Sequence, residues 1–208
     1  MRVDIWSDLV CPWCYIGKRR FDKALAGFDR RDEVMVVHRA FQLDPTMPKG
    51  QLFRHRDVLM KKYGMTEPQV AAAQARLGDL AAAEGLEYHL SRSHTGNTRD
   101  AHRLVHLAGE QGMQDAVIER FFRAHFTELR SLFDDESLLA LSKESGLEGA
   151  KEVLESDRFS TEVVADHRDA NAMGAHGVPF FVLEARYAIS GAQSVEVFAD
   201  ALSRLTAE

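Results

Sequence analysis

Cys11 and Cys14 are the only cysteines in this 208-residue chain, and they stand one helical turn apart in Cys11-Pro12-Trp13-Cys14. The chemistry open to such a pair is thiol–disulfide exchange. A thiol at a helix N-terminus faces unsatisfied backbone N–H groups and the positive end of the helix dipole, which favour the thiolate. Its pKa then falls from about 8.5 to roughly 3.5–7.5, which makes it a nucleophile at neutral pH. A second thiol one turn along attacks the resulting mixed disulfide and releases the partner. Three other readings stay open. A purely structural disulfide would close a loop too short to constrain the unfolded chain. A zinc site would need two further ligands from nine scattered histidines, of which His102 and His106 lie four apart on an expected helix, so no metal is expected. Two idle thiols would leave unexplained the proline at the first helical position and the strand before it.

The elements around the pair support the exchange reading. Met1 to Trp6 reads as a short strand and Tyr15 to Ala26 as a helix. Glu33 to Leu43, with the apolar run Val34-Met35-Val36-Val37, reads as a second strand, so the N-terminal segment is a βαβ unit with a parallel pair. Asp44-Pro45, Pro48 and Gly50 break that pattern. From about Leu52 to Ser156 strand signals vanish and helical periodicity takes over, with four or five helices expected. Thr66 and Gln69 form a capping box for an alanine-rich helix ending near Gly85. Asn97-Thr98 and Asp134-Asp135 open others, and Phe121, Phe122 and Phe126 read as core. The last fifty residues return to mixed structure. A helix from Ser160 to Met173 precedes strands at Phe180–Leu183 and Tyr187–Ser190, and Ser194 caps a final helix to Leu205.

Neither end has enough strands to close a core. Together they predict an α/β fold, a four-stranded mixed sheet flanked by helices with a large all-helical insertion. Its segments are 1–44, 45–156 and 157–208. The chain is 45% hydrophobic and carries a net charge of −6, with no basic run longer than Lys18-Arg19-Arg20, which is expected as an exposed helical face. Nucleic acid is therefore not an expected partner. No apolar run approaches a membrane span, and a strand beginning at Arg2 leaves no room for a secretory leader. A cytoplasmic setting is expected, where two cysteines point to catalysis or sensing.

Five segments carry a resemblance to a known family. They are Cys11 to Gly17, Phe41-Gln42-Leu43-Asp44-Pro45, Asn97 to Leu104, Gly177-Val178-Pro179-Phe180-Phe181-Val182 and Ser190-Gly191-Ala192-Gln193. Together they resemble the thioredoxin fold in its DsbA-like branch, and within it the FrnE-like subgroup, over essentially the whole chain. The resemblance implies that Cys11 is an exposed nucleophile and Cys14 a buried resolving thiol. It implies that Val178-Pro179 is the cis-proline loop lying against them, although an X–Pro bond taken alone is expected to be trans. Pro12, Trp13, Val178 and Pro179 are then the expected substrate contacts, with the Val178 backbone pairing with an extended substrate. His176, Asn97 and His102 are candidate modulators. Related redox proteins carry a buried acid in the first strand that assists proton movement; here the equivalent, Ile5, is apolar. Asp8 is expected as an exposed, screened carboxylate.

The leading expectation is a thiol–disulfide oxidoreductase acting on protein or small-molecule thiols, with a redox-recycling partner and no tightly bound cofactor. Glutathione is a candidate co-substrate. An alternative resemblance is to the glutathione-dependent 2-hydroxychromene-2-carboxylate isomerases, where serine commonly stands in place of Cys11. Gly191-Ala192-Gln193-Ser194 lacks the acidic residue expected there near the γ-glutamyl group. A third class is a non-catalytic peptide-binding scaffold with chaperone-like activity. The sequence leaves the reduction potential, the substrate and the oligomeric state undetermined.

Overall fold

A computed structural model of the chain describes residues 1–205; residues 206–208, the end of the expected segment 157–208, lie outside the described residues. Strand β1 (Arg2–Ser7) leads into helix α1 (Pro12–Ala26), which is followed by β2 (Met35–Ala40). Next come the two-residue strand β3 (Phe53–Arg54), α2 (His55–Tyr63) and α3 (Glu67–Ala83). Strand β4 (His94–Thr95) precedes α4 (Arg99–Glu110), α5 (Gln114–Phe126), α6 (Asp135–Glu144) and α7 (Ala150–Leu154). The chain closes with α8 (Ser160–Ala172), β5 (Phe180–Leu183), β6 (Tyr187–Ser190) and α9 (Val195–Arg204).

The expected sheet forms in the order β2-β1-β5-β6, with β1 parallel to β2 and the other pairs antiparallel. Alternation along the central strands explains why it is covered on both sides. Val3, Ile5, Phe181 and Leu183 pack with Phe21 of α1 and Phe198 and Leu202 of α9. Their neighbours Trp6, Phe180 and Val182 face the other way, onto Ala170 of α8. All four β5 residues are buried, so Phe180-Phe181-Val182-Leu183 reads as an unbroken apolar run. Each fully buried side chain of this size contributes roughly 1.5–3 kcal/mol.

Several expectations need correction. The helix expected from Tyr15 begins at Pro12, so three of the four motif residues lie in its first turn. The strand expected over 33–43 is shorter because its ends find other partners. Glu33 belongs to a short 3-10 turn at Arg31–Glu33. At the far end the Gln42 N–H turns to His167 Nδ1 at 3.3 Å and the Leu43 N–H to Asp8 Oδ2 at 2.7 Å. The segment between β2 and α8 is not all helical: β3 and β4 pair antiparallel, and six helices occur where four or five were expected. Such short strands carry no periodicity, and α2 buries no residue, so neither left an apolar pattern. Lys18 is 3% exposed rather than on an open basic face, its Nζ lying 2.8 Å from both Asp22 and Asp115. The Thr66 capping box is present, with Gln69 Oε1 accepting the Thr66 N–H at 2.8 Å.

One close approach ties the two ends of the chain together. At Gly17 a Cβ would stand 2.8 Å from Pro179 Cγ and 3.4 Å from Ala192, so α1 meets both loops only because this residue has no side chain. Gly17→Ala is therefore expected to destabilise the protein by about 1–3 kcal/mol through overpacking, measured by urea unfolding. An unchanged midpoint would show that the contact yields freely.

Candidate active site

After Ser7 and Asp8 the chain turns through Leu9 and Val10 and enters α1 with Cys11 as N-cap, at φ −85° and ψ 113°. The Cys11 N–H donates to the Asp8 carbonyl and the Cys14 N–H to the Cys11 carbonyl, both at 3.0 Å. Pro12 occupies the start of the helix, where a missing N–H removes no helical bond. The Tyr88 hydroxyl donates to the Pro12 carbonyl at 2.8 Å and braces the turn from the helical segment. No side chain caps α1 and no acidic residue lies in its first turn, so no residue of that turn offsets the positive end of the helix dipole beside Cys11.

The two thiols occupy different media. Cys14 is 0% exposed, and burial raises its pKa well above the ordinary thiol range, reinforced by a hydrogen bond with Cys11 and by the Cys11 charge. Cys11 is only 5% exposed, where the family resemblance implied an open nucleophile. The difference arises because its Sγ lies against the loop before β5, 3.5 Å from the Val178 carbonyl oxygen. The Val178–Pro179 peptide bond is cis, and Pro179 is buried against Gly17.

Cys11 opens instead onto a cavity of about 430 Å³. Pro12, Trp13 and Val178 line it near the thiol, while Val58, Leu59, Tyr63 and Leu77 bring apolar surface from α2 and α3. Trp13 is 40% exposed, Leu43 41% and Tyr63 63%, which leaves an apolar collar around this cavity. Lys62 contributes a lysine charge to the lining, and its Nζ lies 3.5 Å from Asp44 Oδ2 and 3.4 Å from the Leu43 carbonyl oxygen. His55 also lines the space, and burial lowers its pKa.

The candidate modulators separate. His176 is exposed and is not among the residues lining the cavity. Asn97 is structural: its Nδ2 donates to the Met47 carbonyl at 2.6 Å and its Oδ1 accepts the Arg99 N–H at 2.9 Å at the start of α4. His102 is 2% exposed, and its Nε2 lies 3.4 Å from Asp8 Oδ1. Asp8 itself is 1% exposed, contrary to the expected solvated carboxylate, because Leu43 N–H and His102 take its oxygens as the turn folds under β2. Sequence reasoning missed the bracing role of Tyr88 and the α2–α3 wall, for which no local signal exists. Among the described residues, no group of three His, Cys, Asp or Glu side chains is placed to hold a metal ion.

Comparison with known proteins places this geometry in a family. A model of the DSBA-like thioredoxin domain matches residues 2–203. The fold is similar to that of a probable DsbA oxidoreductase from Streptomyces coelicolor, with TM-score 0.95 and 48% identity, covering 100% of this chain and 91% of the other. It is also similar to a 2-hydroxychromene-2-carboxylate isomerase, with TM-score 0.74 and 16% identity over 99% of this chain and 96% of that one. The cytosolic disulfide reductase DsbM of Pseudomonas aeruginosa gives TM-score 0.70 and 19% identity, covering 100% of both chains. With a sheet built from both ends of the chain, a matched domain spanning nearly all of it and a near-identical fold at 48% identity, the chain belongs to the DSBA-like thioredoxin domain family.

Proposed function

We propose that this protein is a FrnE-like thiol–disulfide oxidoreductase working through Cys11 and Cys14. The observation that carries the reading is the division of labour in one helical turn. Cys11 stands at an uncapped helix N-terminus facing a cavity, and Cys14 stands behind it, closed to solvent. The Cys11 thiolate attacks one sulfur of a substrate disulfide; a Cys11–substrate bond forms and the other substrate sulfur leaves with the electron pair. Cys14 then attacks Cys11, the Cys11–Cys14 bond forms, and the second substrate sulfur leaves. The substrate gains two electrons and the protein loses two, so a recycling partner must reduce the pair again. Run backwards, the same steps oxidise a substrate dithiol. The reduction potential sets the direction, about 30 mV corresponding to 1.4 kcal/mol.

Val178 and Pro179 supply the loop beside the attacking sulfur, and the Val178 backbone offers an edge to an extended substrate. Pro12 and Trp13 line the same space, so the collar of Trp13, Leu43 and Tyr63 suits apolar groups flanking the exchanged sulfur. Among the described residues no helix is long and apolar enough to cross a membrane. A cytoplasmic setting is part of the proposal, supported by the absence of cysteines beyond the pair and by the likeness to a cytosolic disulfide reductase.

The second reading, a glutathione-dependent isomerase, draws support from the isomerase-like fold. The lining chemistry weighs against it. A glutathione molecule brings two carboxylates, whereas Asp8 and Asp44 line the cavity and Lys62 lies beside Asp44. DsbM of Pseudomonas aeruginosa has been solved with glutathione, which supports testing the tripeptide as co-substrate here.

Two experiments decide between these readings. In insulin reduction, Cys11→Ser is expected to abolish activity, and Cys14→Ser to accumulate a substrate-linked adduct on Cys11, seen by mass spectrometry of the intact protein. Full activity in Cys11→Ser would overturn the redox assignment. Calorimetry of Cys11→Ser with glutathione is expected to show no saturable binding; saturable non-covalent binding would favour the isomerase.

A further inference from the structure

Ionising Cys11 places a charge where much of its surroundings opposes it. The sulfur is 5% exposed and lies 3.5 Å from the Val178 carbonyl oxygen, the negative end of a peptide dipole. The cavity it opens onto offers little compensation. Asp8 and Asp44 bring carboxylates to the lining, and the Lys62 ammonium lies 3.5 Å from Asp44. Burial lowers the pKa of His55, so its ring is uncharged near neutral pH, and His102 of α4 faces Asp8 Oδ1 at 3.4 Å. Support for the charge has to come from the start of α1. The first N–H groups of a helix have no intrahelical acceptor. Pro12 has no N–H to offer, and that of Cys14 donates to the Cys11 carbonyl at 3.0 Å, which leaves the N–H of Trp13.

That N–H and the Pro12 carbonyl are the two ends of one peptide unit, and the carbonyl accepts the Tyr88 hydroxyl at 2.8 Å. We propose that Tyr88 is a positioning residue which, through the Pro12–Trp13 peptide, raises the reactivity of Cys11 and the oxidising strength of the pair. The inference rests on the redox reading above. A donor at a carbonyl oxygen draws electron density across the amide, and the N–H at the other end becomes a stronger donor. The N–H groups of a first turn face the N-cap side chain, which here is Cys11. A thiolate gains from such a donor far more than a neutral thiol does. Reducing the pair creates that thiolate. Holding it more firmly therefore favours the reduced protein and makes the disulfide the stronger oxidant.

The surroundings of Tyr88 fix its hydroxyl on that carbonyl. It follows α3 in irregular chain, and both of its sequence neighbours are tied to the end of α5. The His89 N–H donates to the Phe126 carbonyl at 2.9 Å, and Thr127 Oγ1 donates to the Glu87 carbonyl at 2.7 Å. The ring stacks on Phe126 with centroids 4.7 Å apart, and on Tyr15 of α1 at 6.2 Å. Burial, and after it the charge of Cys11, hold the hydroxyl far above its ordinary pKa, so its proton stays available to the carbonyl. Tyr15 provides the contrast. It belongs to the same stack, but its hydroxyl donates to Glu119 Oε1 at 2.6 Å rather than to the motif backbone.

The test is the rate at which iodoacetamide alkylates Cys11 in the reduced full-length protein, followed by intact mass from about pH 4 to about pH 9. Tyr88→Phe keeps the ring and removes the donor. It is expected to react about twofold to fivefold more slowly on the rising limb of the profile, the range for a charge–dipole effect at a helix terminus. It should meet the parent on the plateau, where ionisation no longer limits the rate. Its equilibrium with dithiothreitol should move by a similar factor towards the oxidised protein. Tyr15→Phe, which deletes a hydroxyl from the same stack, should leave both measurements unchanged. Replacing Tyr88 by 3-fluorotyrosine, a stronger donor, should move both in the opposite direction, and tests the inference independently if Tyr88→Phe does not fold. A rising limb that does not move, or a rate lowered by the same factor at every pH, would overturn the role of Tyr88, since damaged packing slows the plateau as well. A parent protein that forms no Cys11–Cys14 disulfide with oxidised dithiothreitol would instead defeat the redox reading itself.

Discussion

Within a single turn of α1, one sulfur must remain in contact with substrate while its neighbour is removed from water altogether. Those demands pull against each other, because a buried thiol resists ionisation and a nucleophile requires it. The helix resolves the conflict by position. Cys11 stands at the N-cap of α1 and lines the cavity, whereas Cys14, one turn on, is closed off among Tyr15, Ile16 and the helical segment. Exchange chemistry follows from that asymmetry.

The rest of the fold keeps this turn from moving. The end of β1 delivers the chain to it, the Asp8 carbonyl and Tyr88 hydroxyl hold its backbone, and Gly17 lets the Pro179 loop approach closely. That loop leads directly into β5, which pairs with β1, so the attacking sulfur and the carbonyl opposite it are referenced to the same sheet. The helical segment contributes differently. It closes the cavity with α2 and α3, giving the site its depth and its apolar lining.

The sheet was legible in the sequence because its strands are short apolar runs bounded by Asp-Pro, Gly and the hairpin turn at Glu184-Ala185-Arg186, and because helix signals separate them. The thiol pair was legible because its chemistry is written in local residue order; the proline loop was legible only through the family resemblance, since an X–Pro bond taken alone is expected to be trans. What escaped was set by distant partners. Asp8 and Lys18 look like solvated charges until Leu43, His102 and Asp115 are brought beside them, and no local pattern encodes those meetings. The ribbon of β3 and β4 escaped because two residues cannot display a period, and the low exposure of Cys11 because the Val178 loop that covers it is far away in the chain.

The central claim is that Cys11 and Cys14 behave as one two-electron couple. Equilibration of the purified protein across a series of dithiothreitol ratios, followed by acid quenching and counting of free thiols by mass, measures this directly. The expected result is a single transition in which both thiols disappear together, with the slope of a two-electron process. Thiols that stay reduced throughout, or that disappear independently of each other, would contradict it.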